Sequence, residues 1–238
     1  MPVRQLLDRF AGSAVTMTVY GSEPDPDFVD RLESQRIAVD WQALPAPDSE
    51  SFVVVRQAGQ FAGAVRLDVL RGFLSESPLQ RRARTLPDPD EDVQLLLSSL
   101  TNTVLPSLER GSLLATAHEF EDRAYRIGRG TLRVSFQSLS TFRAQVDRYR
   151  TLAADTELDI HIYGRDDWDP PAIPGVTVHT ISDDEFARLW LLAFDGNGNA
   201  TDKCALVAEE TDSGQYRGFW TYDPPAVDEI LASVATSF

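Results

Sequence analysis

The chain is 238 residues long and 42% apolar, with a formal net charge of −15. That size can bury one large core or two small ones, and so negative a surface argues against direct nucleic-acid binding, whose affinity comes largely from Lys and Arg displacing counterions on phosphates. Lys203 is the one Lys among 22 basic residues; an acidic, Lys-poor surface repels itself in dilute buffer and is screened by salt, a composition that matches cytoplasmic proteins of halophilic archaea, with a G+C-rich genome the simpler partial cause of Arg over Lys.

The small basic run Arg81-Arg82-Ala83-Arg84 is followed at once by Asp88, Asp90, Glu91 and Asp92, and reads as a solvated linker rather than a phosphate patch. The single cysteine, Cys204, excludes an internal disulfide framework and fits a reducing cytoplasm. There is no signal-like N-terminus and no apolar run near the roughly 20 residues of a spanning helix. A cytoplasmic chain with no membrane partner is the expectation.

Leu6 to Phe10 suggests a short helix, and Ala14 to Tyr20 alternates as a strand that stops at Gly21. Pro26 opens a helix carrying Phe28, Val29 and Leu32 at helical spacing, and Ile37 to Trp41 is the next strand. Phe52 to Arg56 and Gln60 to Val65 flank Gly59 as a hairpin, and Leu67 to Leu74 closes this half as a helix. Ser75 to Asp92 is polar, charged and Pro-bearing, an exposed connection. A helical middle starts at Val93. Pro106 would break a helix interior, so the main helix is placed at or after it, with Leu113, Leu114, Ala117, Phe120, Ala124 and Ile127 as its stripe and Gly128 and Gly130 as its stop.

Thr131 to Gln137 is then a strand, and Ser140 can cap a helix that buries Phe142, Val146, Tyr149 and Ala153. Strands follow at Leu158 to Gly164, Val176 to Ile181, Leu189 to Phe194 and Ala205 to Glu209, with a last helix at Val227 to Val234. Tyr163-Gly164 repeats Tyr20-Gly21, and Gly214-Gln215-Tyr216 resembles Gly59-Gln60-Phe61, so the two ends look like divergent copies of one unit. The expected class is mixed α/β: a mixed sheet with covering helices, in two divergent strand-rich halves joined by a helical middle section. A single composite domain is expected, with a first half at 1–74, a linker at 75–92, a helical middle with one strand at 93–155 and a second half at 156–238.

Several motifs together resemble a known family. They are Glu121-Asp122-Arg123-Ala124-Tyr125-Arg126, Gly130-Thr131-Leu132, Phe136-Gln137 with Ser140, Arg148-Tyr149 before Leu152-Ala153, and Ile160-His161-Ile162-Tyr163-Gly164. Toward the C-terminus come Ala193-Phe194-Asp195-Gly196, Cys204 to Glu210 and Gly218-Phe219-Trp220-Thr221-Tyr222-Asp223-Pro224. The combination is similar to the archaeal branch of the DICT sensory domains, which occur with diguanylate cyclases and two-component systems. Tyr125 stands where that family would have a tryptophan, and Ser135 where a glycine is usual. The resemblance implies a signal-sensing or regulatory role, proposed in the family for light or related cues, with output through a signalling protein partner or through homo-oligomerisation.

The chemistry of the residues points to recognition. Glu121 and Arg123 sit two apart on a helix and so face apart; with Tyr125, Phe136, Gln137 and Tyr149 they could line a pocket for a small polar ligand. The simpler reading is a partly buried ion pair locking helix to sheet with Phe136 in the core. Trp190, Phe219, Trp220 and Tyr222 crowd the C-terminal strands, where alternation would expose one of Phe219 and Trp220 as an interface, with core packing the simpler reading. No catalytic residues, metal or cofactor are expected: His118, His161 and His179 lie on three elements without metal-site spacing, Cys204 reads as a small buried residue, and the Asp195-Gly196-Asn197-Gly198-Asn199 stretch has Ala200 and Leu206 where a calcium loop needs Gly and Glu. The expected function is a non-catalytic sensing module that binds a small ligand or a protein partner. An oligomeric interaction scaffold is the alternative, and an enzyme with a dispersed site ranks third. The stretch Glu119 to Tyr149 is the expected signal-reading centre.

Overall fold

A computed structural model describes residues 5, 7, 15–34, 37–44, 51–75, 98–102, 105–181, 188–212 and 214–236. The expected linker, with its Arg81-Arg82-Ala83-Arg84 run, lies outside them, as does most of the expected helix from Val93. Helices and two mixed sheets make up the fold, the mixed α/β class expected from the sequence. The chain divides into two compact units, one of residues 7–119 and 212–220 and the other of 1–6, 120–211 and 221–238.

In the first unit, strands β1 (Val15–Gly21), β2 (Ala38–Ala43), β3 (Phe52–Gln57) and β4 (Gln60–Arg66) form a sheet in the order β2-β1-β3-β4. β1 pairs β2 in parallel and β3 antiparallel. Period-2 alternation sends Val15, Met17, Val19, Val53, Val55 and Val65 to the core face. The turn between β3 and β4 places both Ala58 and Gly59 at positive φ, the primed geometry that matches strand twist. Helix α1 (Pro26–Ser34) starts at Pro26, whose missing N–H costs nothing at that position. Asp25 caps it by accepting from the Phe28 N–H at 3.1 Å. Helix α2 (Leu67–Ser75) follows β4 directly and buries Leu67, Leu70 and Phe73.

Pro106 does not precede a helix at once. Residues Leu105–Glu109 form strand β5, which pairs antiparallel with β11 (Gln215–Thr221), and the register shifts between Tyr216 and Gly218. A proline near the start of a strand forfeits few ladder bonds, so the backbone is extended up to Arg110. Helix α3 (Arg110–Ile127) then begins, buries Leu113, Ala117, Phe120 and Ala124, and stops at Gly128 as expected.

In the second unit, β6 (Arg129–Ser138), β7 (Glu157–Arg165), β8 (Val176–Thr180), β9 (Leu189–Phe194) and β10 (Cys204–Asp212) run in the order β10-β9-β6-β7-β8. β6, β7 and β8 are parallel; β9 is antiparallel to β6 and to β10. β9 is buried on both faces, and so are residues Cys204 to Glu209 of β10, which explains their nearly unbroken apolar sequence. Helix α6 (Pro224–Thr236) packs beside β9.

The connection from β6 to β7 is not one helix. It is α4 (Leu139–Phe142), a 3₁₀ turn at Arg143–Gln145 and α5 (Val146–Asp155). Ser140 is therefore inside α4 and is not its cap: its N–H and hydroxyl both donate to the Asp167 carboxylate, at 2.8 and 2.5 Å. Phe142, Tyr149 and Leu152 are buried, whereas Val146 and Ala153 are half-buried.

The internal likeness is shifted by one strand from the Tyr-Gly pairing that suggested it. The order β2-β1-β3-β4 recurs as β7-β6-β9-β10 with the same parallel and antiparallel senses, and α1 and the α4–α5 connection occupy the same crossover. β6, not β7, is the topological counterpart of β1.

Candidate functional site

α3 places Glu121 against α5. Its carboxylate accepts from the Tyr149 hydroxyl at 2.6 Å and from Arg148 Nε, while Arg148 Nη2 reaches Asp122 at 2.6 Å. Glu121 is 3% exposed and Tyr149 fully buried. Burial and then the Glu121 charge push the Tyr149 phenol well above its ordinary value. Burial acts to lower the Arg148 pKa, but the Glu121 and Asp122 carboxylates outweigh it and hold the guanidinium above its usual range. Beside this knot the rings of Phe136, Phe142 and Tyr149 meet at 5.2 to 5.7 Å, two of the three contacts edge-on.

Of the six residues proposed as one pocket, Glu121, Phe136 and Tyr149 come together, with each other's polar atoms satisfied. The other three lie apart. Arg123 donates to the Thr201 and Asp202 carbonyls at 2.7 and 3.2 Å and stands 5.4 Å over the Tyr222 ring. Tyr125 donates to Asp155 at 3.3 Å. Gln137 donates from its amide to the Arg188 carbonyl at 3.1 Å and Glu210 at 3.4 Å. The ion pair expected between helix and sheet thus joins two helices instead.

None of the four C-terminal aromatics weighed as an interface is exposed. Trp190, Phe219 and Trp220 are buried, because β9 and the second half of β11 are covered on both faces and alternation exposes neither ring. Tyr222 is half-buried, edge-on to Phe120 at 5.4 Å. Cys204 is buried in β10.

Gln137 itself is the anomaly at this end of the sheet. Its φ is +63°, and the β6–β7 register shifts between Ser135 and Ser138, so a bulge at the carboxyl end of β6 is built on a left-handed glutamine. Such residues cost about 1–3 kcal/mol and gather at ligand clamps and switch regions.

A second polar group was hidden by sequence distance. The parallel register sets Tyr163 beside His179 and Arg133 beside His161. His161 Nδ1 and His179 Nε2 are 2.9 Å apart, His161 Nε2 is 3.0 Å from Asp159, and the Tyr163 ring stacks on His179 at 4.6 Å. Arg133 donates to the Tyr163 hydroxyl. The alternation of Asp159, His161 and Tyr163 along one strand was the available signal; the strand that would pair with it was not. Among the described residues no group of three or more His, Cys, Asp or Glu side chains is placed to hold a metal.

The second unit is thus a mixed α/β fold that carries a satisfied buried knot, a strained bulge and a polar panel. The family described as DICT, sensory domain in diguanylate cyclases and two-component systems, matches residues 93–211, and the chain belongs to it. No curated protein matches the chain. Among solved structures it is similar to a polyphosphate kinase from Porphyromonas gingivalis, at 12% identity and a TM-score of 0.38, over 97% of this chain and 47% of that one. The chain thus spans about half the length of that protein.

Proposed function

We propose that this chain is a non-catalytic, cytoplasmic sensing or regulatory domain that binds a small ligand or a signalling protein partner and relays the change by contact. The observation that supports this is Gln137: a left-handed glutamine inside the family-matched segment, at the carboxyl end of a parallel strand, holding strain where open α/β sheets hold their ligands. No helix among the described residues is long and apolar enough to cross a membrane.

Gln137→Gly removes the left-handed penalty as well as the amide bonds, so its stability is expected to equal or exceed the parent's by up to about 1 kcal/mol. Gln137→Ala keeps the strain and loses the bonds, and is expected to fall about 1 kcal/mol below it. Native mass spectrometry of protein from high-salt extracts reads the function: a small molecule carried by the parent and absent from folded Gln137→Gly is the expected result. Equal loading of both variants would remove Gln137 from sensing.

The second reading, an oligomeric interaction scaffold, has Phe61 in its favour, 68% exposed on β4 at the end of its sheet. No bound molecule with a discrete oligomer in the same spectra would move the conclusion there. The acidic composition carries its own expectation. Self-repulsion at a net charge of −15 is screened by salt, so the melting temperature is expected to rise between 0.1 M and molar KCl, and a flat or falling profile would end the halophilic reading.

A further inference from the structure

Arg133, Ser135, His161, Tyr163 and His179 share one face of the parallel strands β6, β7 and β8, since residues two apart on a strand point the same way and the register aligns Arg133 with His161 and Ser135 with Tyr163. Two of them have polar hydrogens to spare. Arg66, Arg71, Arg123, Arg148 and Arg150 each have a carboxylate within ion-pair distance. Arg133, like Arg56, Arg143 and Arg188, has none among the described residues; the acceptor it reaches is the neutral Tyr163 hydroxyl. Ser135 is 0% exposed, and its hydroxyl has no hydrogen-bond partner. A buried hydroxyl without a partner bears its full desolvation penalty and calls for an explanation.

We propose that Arg133 and Ser135 form a binding site for a small oxyanion, the carboxylate or phosphoryl group of a metabolite, with the His161–His179 pair as its proton-linked flank. The guanidinium keeps donors free for the planar, two-pronged recognition that oxyanions favour. Ser135 supplies a hydroxyl that is otherwise orphaned. Asp159 can only accept, so it draws the His161 Nε2 proton, and His161 Nδ1 then accepts from His179 Nε2. In that neutral arrangement the pair offers the panel no further proton, and adding one creates a new donor on His179.

Among the described residues, Arg133 from β6 and His161 and Tyr163 from β7 face His179, with Asp159 on the far side of His161. Burial first, then the His161 and Arg133 charges, hold His179 below its ordinary value. A bound anion offsets the repulsion that Arg133 exerts on a protonated His179, so binding takes up a proton. Affinity therefore rises as pH falls below about 6.5, the unperturbed imidazole value. Asp159 opposes an anion and keeps the affinity modest. The site rests on the sensing reading: Ser135 lies two residues before the Gln137 bulge on the same strand, so an occupant of the panel bears on the strained segment.

The three histidines make the test direct. In ¹H–¹³C spectra of the imidazole groups, inorganic phosphate and acetate are titrated separately at fixed ionic strength in chloride. Saturable shifts of His161 and His179 at millimolar anion, with His118 unmoved, are expected. So are several-fold tighter binding at pH 6.0 than at pH 7.5, at least tenfold weaker binding in Arg133→Gln, and a few-fold loss in Ser135→Ala. Arg150→Gln removes an equal charge from an exposed pair and should bind as the parent does. Response to phosphate alone assigns a phosphoryl ligand, and response to both assigns the oxyanion generally. No saturable shift in the parent, or parent-like binding in folded Arg133→Gln, overturns the proposal. If Arg133→Gln still carries the extract-derived molecule in native mass spectra, the sensing reading stands and the anion site falls.

Discussion

Arg148→Met is expected to lower the unfolding free energy by about 3–5 kcal/mol, the loss typical of breaking one side of a buried ion pair. Arg148 bridges Glu121 and Asp122 from a side chain that is itself largely buried, and its removal leaves the Glu121 carboxylate in the interior with the Tyr149 hydroxyl as its remaining donor. The cost belongs mainly to the stranded charge rather than to the lost attraction. Removing the charge should therefore restore most of the loss: the triple variant Glu121→Leu, Arg148→Met, Tyr149→Phe has no carboxylate to strand and no phenol to orphan, and apolar replacements of buried ion pairs are often neutral or stabilising. Urea denaturation of the single and triple variants decides the matter. A single variant within about 1 kcal/mol of the parent would show that the pair is solvated and open, as a ligand site would be. A folded triple variant that still carries the parent's bound molecule would place Glu121 and Tyr149 in the architecture and outside recognition.

That distinction marks the limit of what local sequence could convey. The strand expected over Thr131 to Gln137, the glycine stop after Ile127 and the alternation of Leu158 to Gly164 were legible because each is written in consecutive residues. Glu121 and Arg148 lie on different helices, and nothing in the 3.6-residue spacing of either names the other. The His161–Tyr163–His179 stack depends on the register of β7 against β8, which a one-residue slip would abolish. Gln137 stood out for its amide but not for its backbone, since glutamine is an ordinary strand residue and only the fold forces its φ positive. Pro106 was read correctly as excluded from the helix, which begins after it at Arg110; what it did not convey is the strand Leu105–Glu109 in between. The paired aromatics Phe219 and Trp220 are both buried, as the simpler core-packing reading has it, because alternation implies exposure only where one face of the sheet is open.

Gly130→Ala is expected to cost about 3 kcal/mol or more, combining an unfavourable backbone with two displaced hydrogen bonds. Gly130 has φ +109°, outside the small left-handed region open to other residues, and an added Cβ would stand 2.5 Å from Asp195 Oδ1 and 2.9 Å from the Asn197 nitrogen. That same Oδ1 accepts from the Thr131 and Asn197 N–H groups at 2.9 and 2.8 Å, so one methyl would push apart the start of β6 and the turn that follows β9. Gly128 is the internal comparison. Its φ of +74° is near the left-handed region, and the nearest atom to its added Cβ is 3.7 Å away, so Gly128→Ala carries conformational strain alone, about 1 kcal/mol. Urea denaturation gives the two costs, and amide exchange at Thr131 and Asn197 shows where they fall: both amides should lose protection in Gly130→Ala and keep it in Gly128→Ala. Equal costs for the two variants would mean that the Asp195 turn yields to the methyl. The stop that ends α3 would then be one flexible joint, and the close packing of Gly130 against that turn would not be what fixes the start of β6.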